Sequence, residues 1–248
     1  TAVRNNDTAT RRGLRFGALA LSCAALLATG LGHPPLRAPL LAGPGIGIHL
    51  RHVAAREHST RVQTHFSAWA RTDWLQSDAT DLSWIFAEGR FVARSAGWDG
   101  HSPRFPSPRV ERLARLKRIP WRVRPAASRA LVVGAGAGFD AAVALQERPV
   151  AGATRHVTAI EINPATVAFA RADGARNGHV YDRPEVTVVV ADARRWLTTQ
   201  TAKFDQIQLA LMDTAPGGVR GRATAHSRLL TVEAMALWRA HLHPGGMI

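Results

Sequence analysis

The stretch Ala130-Leu-Val-Val-Gly-Ala-Gly-Ala-Gly-Phe-Asp140 constrains this chain more than any other. Ala130 to Val133 are apolar and read as a buried strand, and Asp140 opens a helix through Leu145. Glycines at 134, 136 and 138 turn the chain between them. Glycine suits such a turn because it tolerates positive φ and carries no Cβ to obstruct a ligand. The helix behind it points amide N–H groups and a positive dipole end at the turn. A glycine-rich strand-to-helix turn either serves the backbone alone or cradles a ligand, and the next strand favours the second role. Val157-Thr-Ala-Ile-Glu161 is a second strand that ends in a carboxylate, at the spacing where a nucleoside-binding fold places its ribose acceptor. Asn163 and Pro164 then cap and start a helix.

Alternating strands and helices continue to the end of the sequence, as in a doubly wound α/β sheet. Strand one is 130–133 and strand two 156–160, followed by a helix over 165–177. Strand three is 186–190, ending in Ala191-Asp192, with a short helix through Leu197. Strand four is 204–211, ending near Asp213, and a Gly-rich loop covers 214–222. A helix over 231–242 leads to the turn His243-Pro-Gly-Gly246, where a fifth strand has barely begun. Strand four is therefore expected to stand as an open edge, a liability in a sheet. On that ground this stretch alone is expected to be inactive or poorly soluble.

Ahead of the α/β region the texture differs. Residues 1–12 are polar and expected to be a disordered tail. Leu14 to Leu31 is an almost unbroken apolar run with Arg15 as its only charge, and about 18 to 20 such residues cross a bilayer. Arg11 and Arg12 precede it, as in a positive-inside flank or a signal peptide's charged start. The run is the last helix of a larger membrane domain, a single anchor, or a signal peptide. A Pro- and Gly-rich linker extends to residue 60, and 61–100 alternates aromatic and polar residues in a small antiparallel β unit with a hairpin at Ala87-Glu-Gly-Arg90. Ser107-Pro108 starts a helix over Arg109–Ile119 in which Val110, Leu113 and Leu116 are apolar and arginines dominate the rest. That helix is either a solvated face on a packed element or a patch for membrane headgroups or phosphates. Net charge is +14, but no aromatic platform or nucleic-acid motif accompanies it, so nucleic acid is not the expected partner. Only Lys117 and Lys203 are lysines.

The Gly134-x-Gly136-x-Gly138 crest, the acidic end of strand two, Asp192 after strand three and Leu242-His-Pro-Gly-Gly246 resemble, in that order, the landmarks of class I S-adenosylmethionine-dependent transferases. Val-Val-Gly-Ala-Gly-Ala-Gly-Phe-Asp140, Ala159-Ile-Glu-Ile-Asn-Pro164 and Asn177-Gly-His-Val-Tyr-Asp-Arg-Pro184 narrow this to a resemblance to the spermidine synthase family, in its bacterial membrane-linked form, over about 60–248. The resemblance implies a Rossmann-like sheet over 128–248, cut at its C-terminal side, the β domain over 61–100, a linker with the basic helix over 101–127, and an N-terminal membrane helix over 13–32. It implies S-adenosylmethionine or its decarboxylated form as cofactor. Gly134, Ala135, Gly136 and Gly138 would approach its methionine end and Asp140 its amino group. Glu161, with Ile162 beside it, would accept from both ribose hydroxyls, and Asp192 with the Ala193 N–H would meet the adenine.

One departure matters. The family carries Asp-Ser-Ser-Asp at the end of strand four, and here that motif falls on Ala210-Leu-Met-Asp213. The first carboxylate, which helps deprotonate the attacking amine, is Ala210. Losing a positioned base typically costs about 10²–10⁴-fold. Asp213 remains as the candidate base, with Tyr181 and His226 secondary. The implied acceptor is a small amine, polyamine-like or other. No metal is implied. A homodimer is left open as the assembly, and the implied setting is the bacterial inner membrane with the catalytic part on the cytoplasmic side. A non-catalytic cofactor-binding module is the competing expectation, resting on Ala210.

Overall fold

A computed structural model describes residues 48–56, 61–77, 82–88, 90–95, 108–147, 154–210 and 229–248. The apolar run 14–31, Asp213 and His226 lie outside the described residues.

A short helix α1, Ile48–Arg56, occupies part of the stretch expected to be linker, with Leu50 buried. Four antiparallel strands follow in chain order: β1 (Arg61–Phe66), β2 (Arg71–Gln76), β3 (Ser83–Ala87) and β4 (Arg90–Arg94). The β3–β4 hairpin sits where the sequence predicts it. Glu88 takes φ 51° there, and its carboxylate accepts from the Arg71 amide at 2.8 Å. Along β2 alternate side chains face opposite ways. Trp74 stacks on Phe169 at 5.4 Å, and the Thr72 hydroxyl accepts from the Asn163 side-chain amide at 2.9 Å, so this face of the β unit docks on the α/β region.

Helix α2 (Pro108–Val123) is longer than expected and runs through Pro120. The parallel sheet then has the order β7-β6-β5-β8-β9, built from β5 (Arg129–Val133), β6 (His156–Glu161), β7 (Val186–Val190), β8 (Phe204–Leu209) and β9 (Leu242–Met247). Numbered from β5, this is strand order three-two-one-four-five, with its reversal point between β5 and β8, where an open α/β sheet binds ligands.

Both faces of the central strands are buried, as a parallel sheet requires. Ala130, Val132, Val157 and Ala159 face a core shared with Trp121, Val143 and Tyr181; Leu131, Val133, Ile160 and Ile207 face one shared with Leu197 and Trp238. Helix α3 (Phe139–Gln146) is rich in buried alanines. The expected 165–177 helix divides into α4 (Pro164–Ala172) and a single turn α5 (Gly174–Asn177), with Asp173 ending one and capping the other. Helices α6 (Ala193–Leu197) and α7 (Val232–Ala240) begin at Asp192 and Thr231, whose side chains accept from the Arg195 and Ala234 amides.

The open edge expected at strand four is corrected by β9. It starts at Leu242 rather than after the glycines, pairing Phe204 with Leu242 and Gln206 with Met247 across a register irregularity. Pro244 lacks a donor, and Gly245 takes φ 71°. Both are tolerated because β9 is the outermost strand among the described residues.

Asp205 ties the start of β8 to that of β5, accepting from the Ser128 amide at 2.9 Å, the Ser128 hydroxyl at 3.1 Å and the Arg129 amide at 2.9 Å. Burial alone would raise its carboxyl; these donors and the His243 charge outweigh it and hold the pKa below the ordinary aspartate value. The resulting stability is present above the unfolded pKa of about 3.9 and is lost as pH falls through the lower folded value. Asp205→Asn is expected to cost about 1–2 kcal/mol in urea unfolding at pH 7, and the gap to wild type should close at a pH below both values.

Candidate functional site

Among the described residues, those singled out in the sequence lie around the C-terminal ends of the parallel strands. The crest from Gly134 to Gly138 has φ of 74° at Gly134, 57° at Gly136 and 90° at Gly138, so the positive φ expected of these glycines is what they adopt. The Gly134 and Ala135 amides donate back to the Ile160 carbonyl at 2.9 and 3.0 Å. The Gly136 amide donates to Glu161 Oε2 at 2.9 Å. The crest is therefore bound to the end of β6 along its length.

The glycines at 136 and 138 are also required by protein packing. A Cβ at Gly136 would lie 3.0 Å from Ala93 of β4, and one at Gly138 would lie 2.4 Å from Val180. The crest runs between the β unit on one side and the Val180-Tyr181 segment on the other. Sequence spacing carries no trace of these neighbours.

Glu161 ends β6 and is only 7% exposed. Its Oε2 holds Gly136, and its Oε1 accepts from the Asn163 amide at 2.9 Å. The two oxygens together offer about four acceptor sites, and the amides of Gly136, Asn163 and Ile162 leave acceptor capacity for a further donor. Burial pushes the Glu161 pKa above the ordinary value, and the amides of Asn163, Gly136 and Ile162 pull the other way without cancelling it. Ile162 next to it is partly exposed. On the neighbouring strand Val190 pairs with Glu161, which places Asp192 just beyond, at the next strand end. Asp192 is exposed, and its Oδ1 accepts from the Arg195 amide at 2.9 Å as the cap of α6; Ala193 is buried.

Asp140 has protein partners that the sequence does not announce. Its Oδ1 meets Lys117 Nζ of α2 at 2.7 Å and accepts from the Gln208 side-chain amide of β8. Burial raises the Asp140 pKa, and the Lys117 charge and hydrogen bond oppose this without reversing it. Lys117 is one of two lysines in an arginine-rich chain, which is the one trace of this pair visible in the sequence.

Tyr181 is fully engaged. Its hydroxyl donates to the Gly136 carbonyl at 2.7 Å. Burial, then the charges of Glu161 and Asp140, push its pKa well above 10, so it stays a neutral phenol and not a base. Tyr181→Phe leaves a buried carbonyl without its donor. It is expected to cost about 1–3 kcal/mol in thermal denaturation and to leave the pH dependence of ligand binding between pH 6 and 9 unmoved. A base at this position would move that profile.

Ala210, where the resemblance puts a catalytic carboxylate, is 0% exposed and packs into the same core as Ala137 and Tyr181. It follows β8 directly, its amide donating to the Val133 carbonyl at 2.9 Å.

No family profile matches the chain. Polyamine aminopropyltransferases 1 and 2 of Ralstonia nicotianae (strain ATCC BAA-1114 / GMI1000) are each 39% identical to it over 82 residues, 32% of this chain and 15% of either relative. Among solved structures, spermidine synthase of Thermotoga maritima aligns with a TM-score of 0.54 at 17% identity, covering 74% of this chain and 54% of that one. A probable spermidine synthase from Corynebacterium glutamicum ATCC 13032 aligns at 0.53 and 19%, covering 75% and 62%. A spermidine synthase in complex with the transition state analogue AdoDATO aligns at 0.51 and 15%, covering 74% and 54%. The chain spans little more than half the length of these structures and a smaller part of the two sequence relatives. Over the matched 82 residues the chain resembles polyamine aminopropyltransferases in sequence, and over about three quarters of its length it shares the fold of these spermidine synthase structures.

Proposed function

We propose that this spermidine synthase-like chain is part of a transferase that holds S-adenosylmethionine or its decarboxylated form over the crest and passes a methyl or aminopropyl group to a small amine. The observation that carries this reading is Glu161, a buried carboxylate held beside the glycine crest by the Gly136 and Asn163 amides, with acceptor capacity left for hydroxyl donors. That is the donor-acceptor complement of a ribose with two adjacent hydroxyls. Ile162 offers an apolar surface beside it, and Asp192, on the next strand end, can accept from an adenine amino group. Both contacts to Asp140 use Oδ1, so its Oδ2 is the atom that would meet the cofactor's amino group.

When bound, the cofactor supplies an electrophilic carbon attached to a sulfonium sulfur. The chain's own part is to fix the ribose at Glu161, hold the crest through Tyr181, align the acceptor and take its proton. Asp213 is the proposed base. In the same reading residues 14–31 attach the protein to the bacterial inner membrane, the transferase part is cytoplasmic, and two copies pair as a homodimer.

Calorimetry of the full chain with each cofactor tests this. Binding of one or both is expected, weakening as pH falls into the range above 4.5 where burial lets Glu161 take a proton. No binding of either at any pH would end the reading. A second reading is favoured by Ala210, whose place in the core leaves no carboxylate at the family's first acidic position. There the chain binds the cofactor without turnover and serves as a sensor. Binding with no transfer to any of a panel of amines would select it.

A further inference from the structure

Helix α2 has two faces with different uses. At about 100° per residue, Ala114, Lys117 and Trp121 share one side of the helix. Ala114 and Trp121 are buried in the core, and Lys117 holds Asp140. Leu116, Ile119 and Val123 fall within about 60° of one another on the opposite side. They are 56%, 52% and 68% exposed. Leu116 points outward, because the inward stripe follows 114, 117 and 121. Arg112 lies in the same outer arc, Arg115 and Arg122 flank it, and all three are exposed. Over Pro108–Val123 the helix carries six cations against one acid, Glu111.

We propose that this outer face of α2 lies on an anionic lipid surface, with Leu116, Ile119 and Val123 in the headgroup–acyl boundary and Arg112, Arg115 and Arg122 against lipid phosphates. An apolar stripe edged by arginines is the pattern of a helix that lies in the membrane interface. Arg115 pairs with Glu111 at 2.7 Å and Arg122 with Glu147 at 3.3 Å, both at the surface. Yet the six cations of this helix outnumber Glu111, Asp140 and Glu147, the carboxylates that pair with them among the described residues, and the remaining positive charge selects an anionic occupant. The three aliphatic residues select lipid over nucleic acid, whose phosphate backbone gives them nothing to bury against. The contact is separate from the apolar run 14–31 and from the cofactor reading. It would fix the orientation of the folded part, with the α2 face toward the bilayer.

The test must read this helix locally, since residues 14–31 can hold the full chain on vesicles by themselves. In a Cys23→Ser background, Ile119→Cys is labelled with an environment-sensitive fluorophore, with Thr199→Cys, an exposed position, as the control. Vesicles of phosphatidylglycerol and phosphatidylcholine, and of phosphatidylcholine alone, are compared, with shallow nitroxide lipids as quenchers. The proposal expects a blue shift and quenching at 119 with the anionic vesicles, little with the neutral ones, and none at 199. Combined Arg112→Gln, Arg115→Gln and Arg122→Gln should raise the anionic lipid needed for half the shift by about a hundredfold. No shift at 119, equal shifts with both lipids, an equal response at 199, or indifference to the arginine changes would overturn it. So would a shift at 119 that appears without vesicles as protein concentration rises, or on adding duplex nucleic acid, each of which names a different occupant.

Discussion

Glu161→Gln is expected to reduce affinity for S-adenosylmethionine or its decarboxylated form by about 10²–10³-fold, with Glu161→Asp falling in between. The carboxylate does two jobs from one position. Its amide-bound lone pairs hold the Gly136 and Asn163 amides, and the remaining ones face the crest. A hydrogen bond to a charged group contributes about 1.5–3 kcal/mol, and a ribose donates two. Gln keeps the shape but offers one acceptor oxygen, and its amide nitrogen would meet either the Gly136 N–H or the Asn163 N–H, donor against donor. The variant should therefore also lose about 1–3 kcal/mol of stability, visible in denaturant unfolding without any ligand. That separates the two roles. A stability loss with unchanged affinity would make Glu161 a structural clasp of the crest and remove it from the cofactor site.

Gly138→Ala is expected to be strongly destabilising. Gly138 has φ 90° and begins α3, a conformation that costs an L residue about 1–2 kcal/mol. The new Cβ would also lie 2.4 Å from Val180 Cγ1 and 3.3 Å from Tyr181 Cε1. Overpacking of this kind adds about 1–3 kcal/mol. A total near 3 kcal/mol lowers the thermal midpoint by roughly 6–12 °C for a chain of this size. Val180→Ala in the same chain should recover part of the loss, because it removes the atom met at the shortest distance while leaving the backbone strain. Full recovery would mean that the φ angle is not a source of the cost; no recovery would mean that the clash is relieved elsewhere.

These two residues mark what is readable from a linear sequence. Local features were legible. A glycine series after an apolar strand predicts the crest, Asn163, Asp192 and Thr231 announce helix starts that the structure bears out, and Glu161 ends its strand beside the crest. The glycine series and the helix starts depend on residues within a few positions of each other, where backbone geometry and hydrogen bonding leave a regular pattern, and Glu161 is marked by its place at the end of the next strand. Contacts between distant segments leave none. Lys117 and Asp140, Tyr181 and Gly136, and Ala93 and Gly136 meet only because the sheet and its helices fold them together. The β9 pairing was missed for a related reason. Pro-Gly-Gly is a turn signal in isolation, and only an outer strand position makes it compatible with a ladder. The apolar Val110, Leu113 and Leu116 do not mark the packed side of α2, because positions six apart lie about 120° from each other around a helix, whereas Ala114, Lys117 and Trp121 share one side.

Ala210 bears on chemistry more than on fold. Ala210 is fully buried and belongs to the core that holds Ala137 and Tyr181. Any proton acceptor for an incoming amine must come from elsewhere. Asp213 is the proposed one, and a transfer assay with Asp213→Asn against wild type decides whether it serves.

The most direct measurement is a crystal structure of the full chain with S-adenosylmethionine or a non-reactive analogue bound. The account predicts both ribose hydroxyls within hydrogen-bond distance of the Glu161 carboxylate, the adenine edge at Asp192 and the sulfur end above Gly134 to Gly138. A nucleoside bound anywhere else, or one whose sugar is held by other groups while Glu161 touches only Gly136 and Asn163, would contradict it.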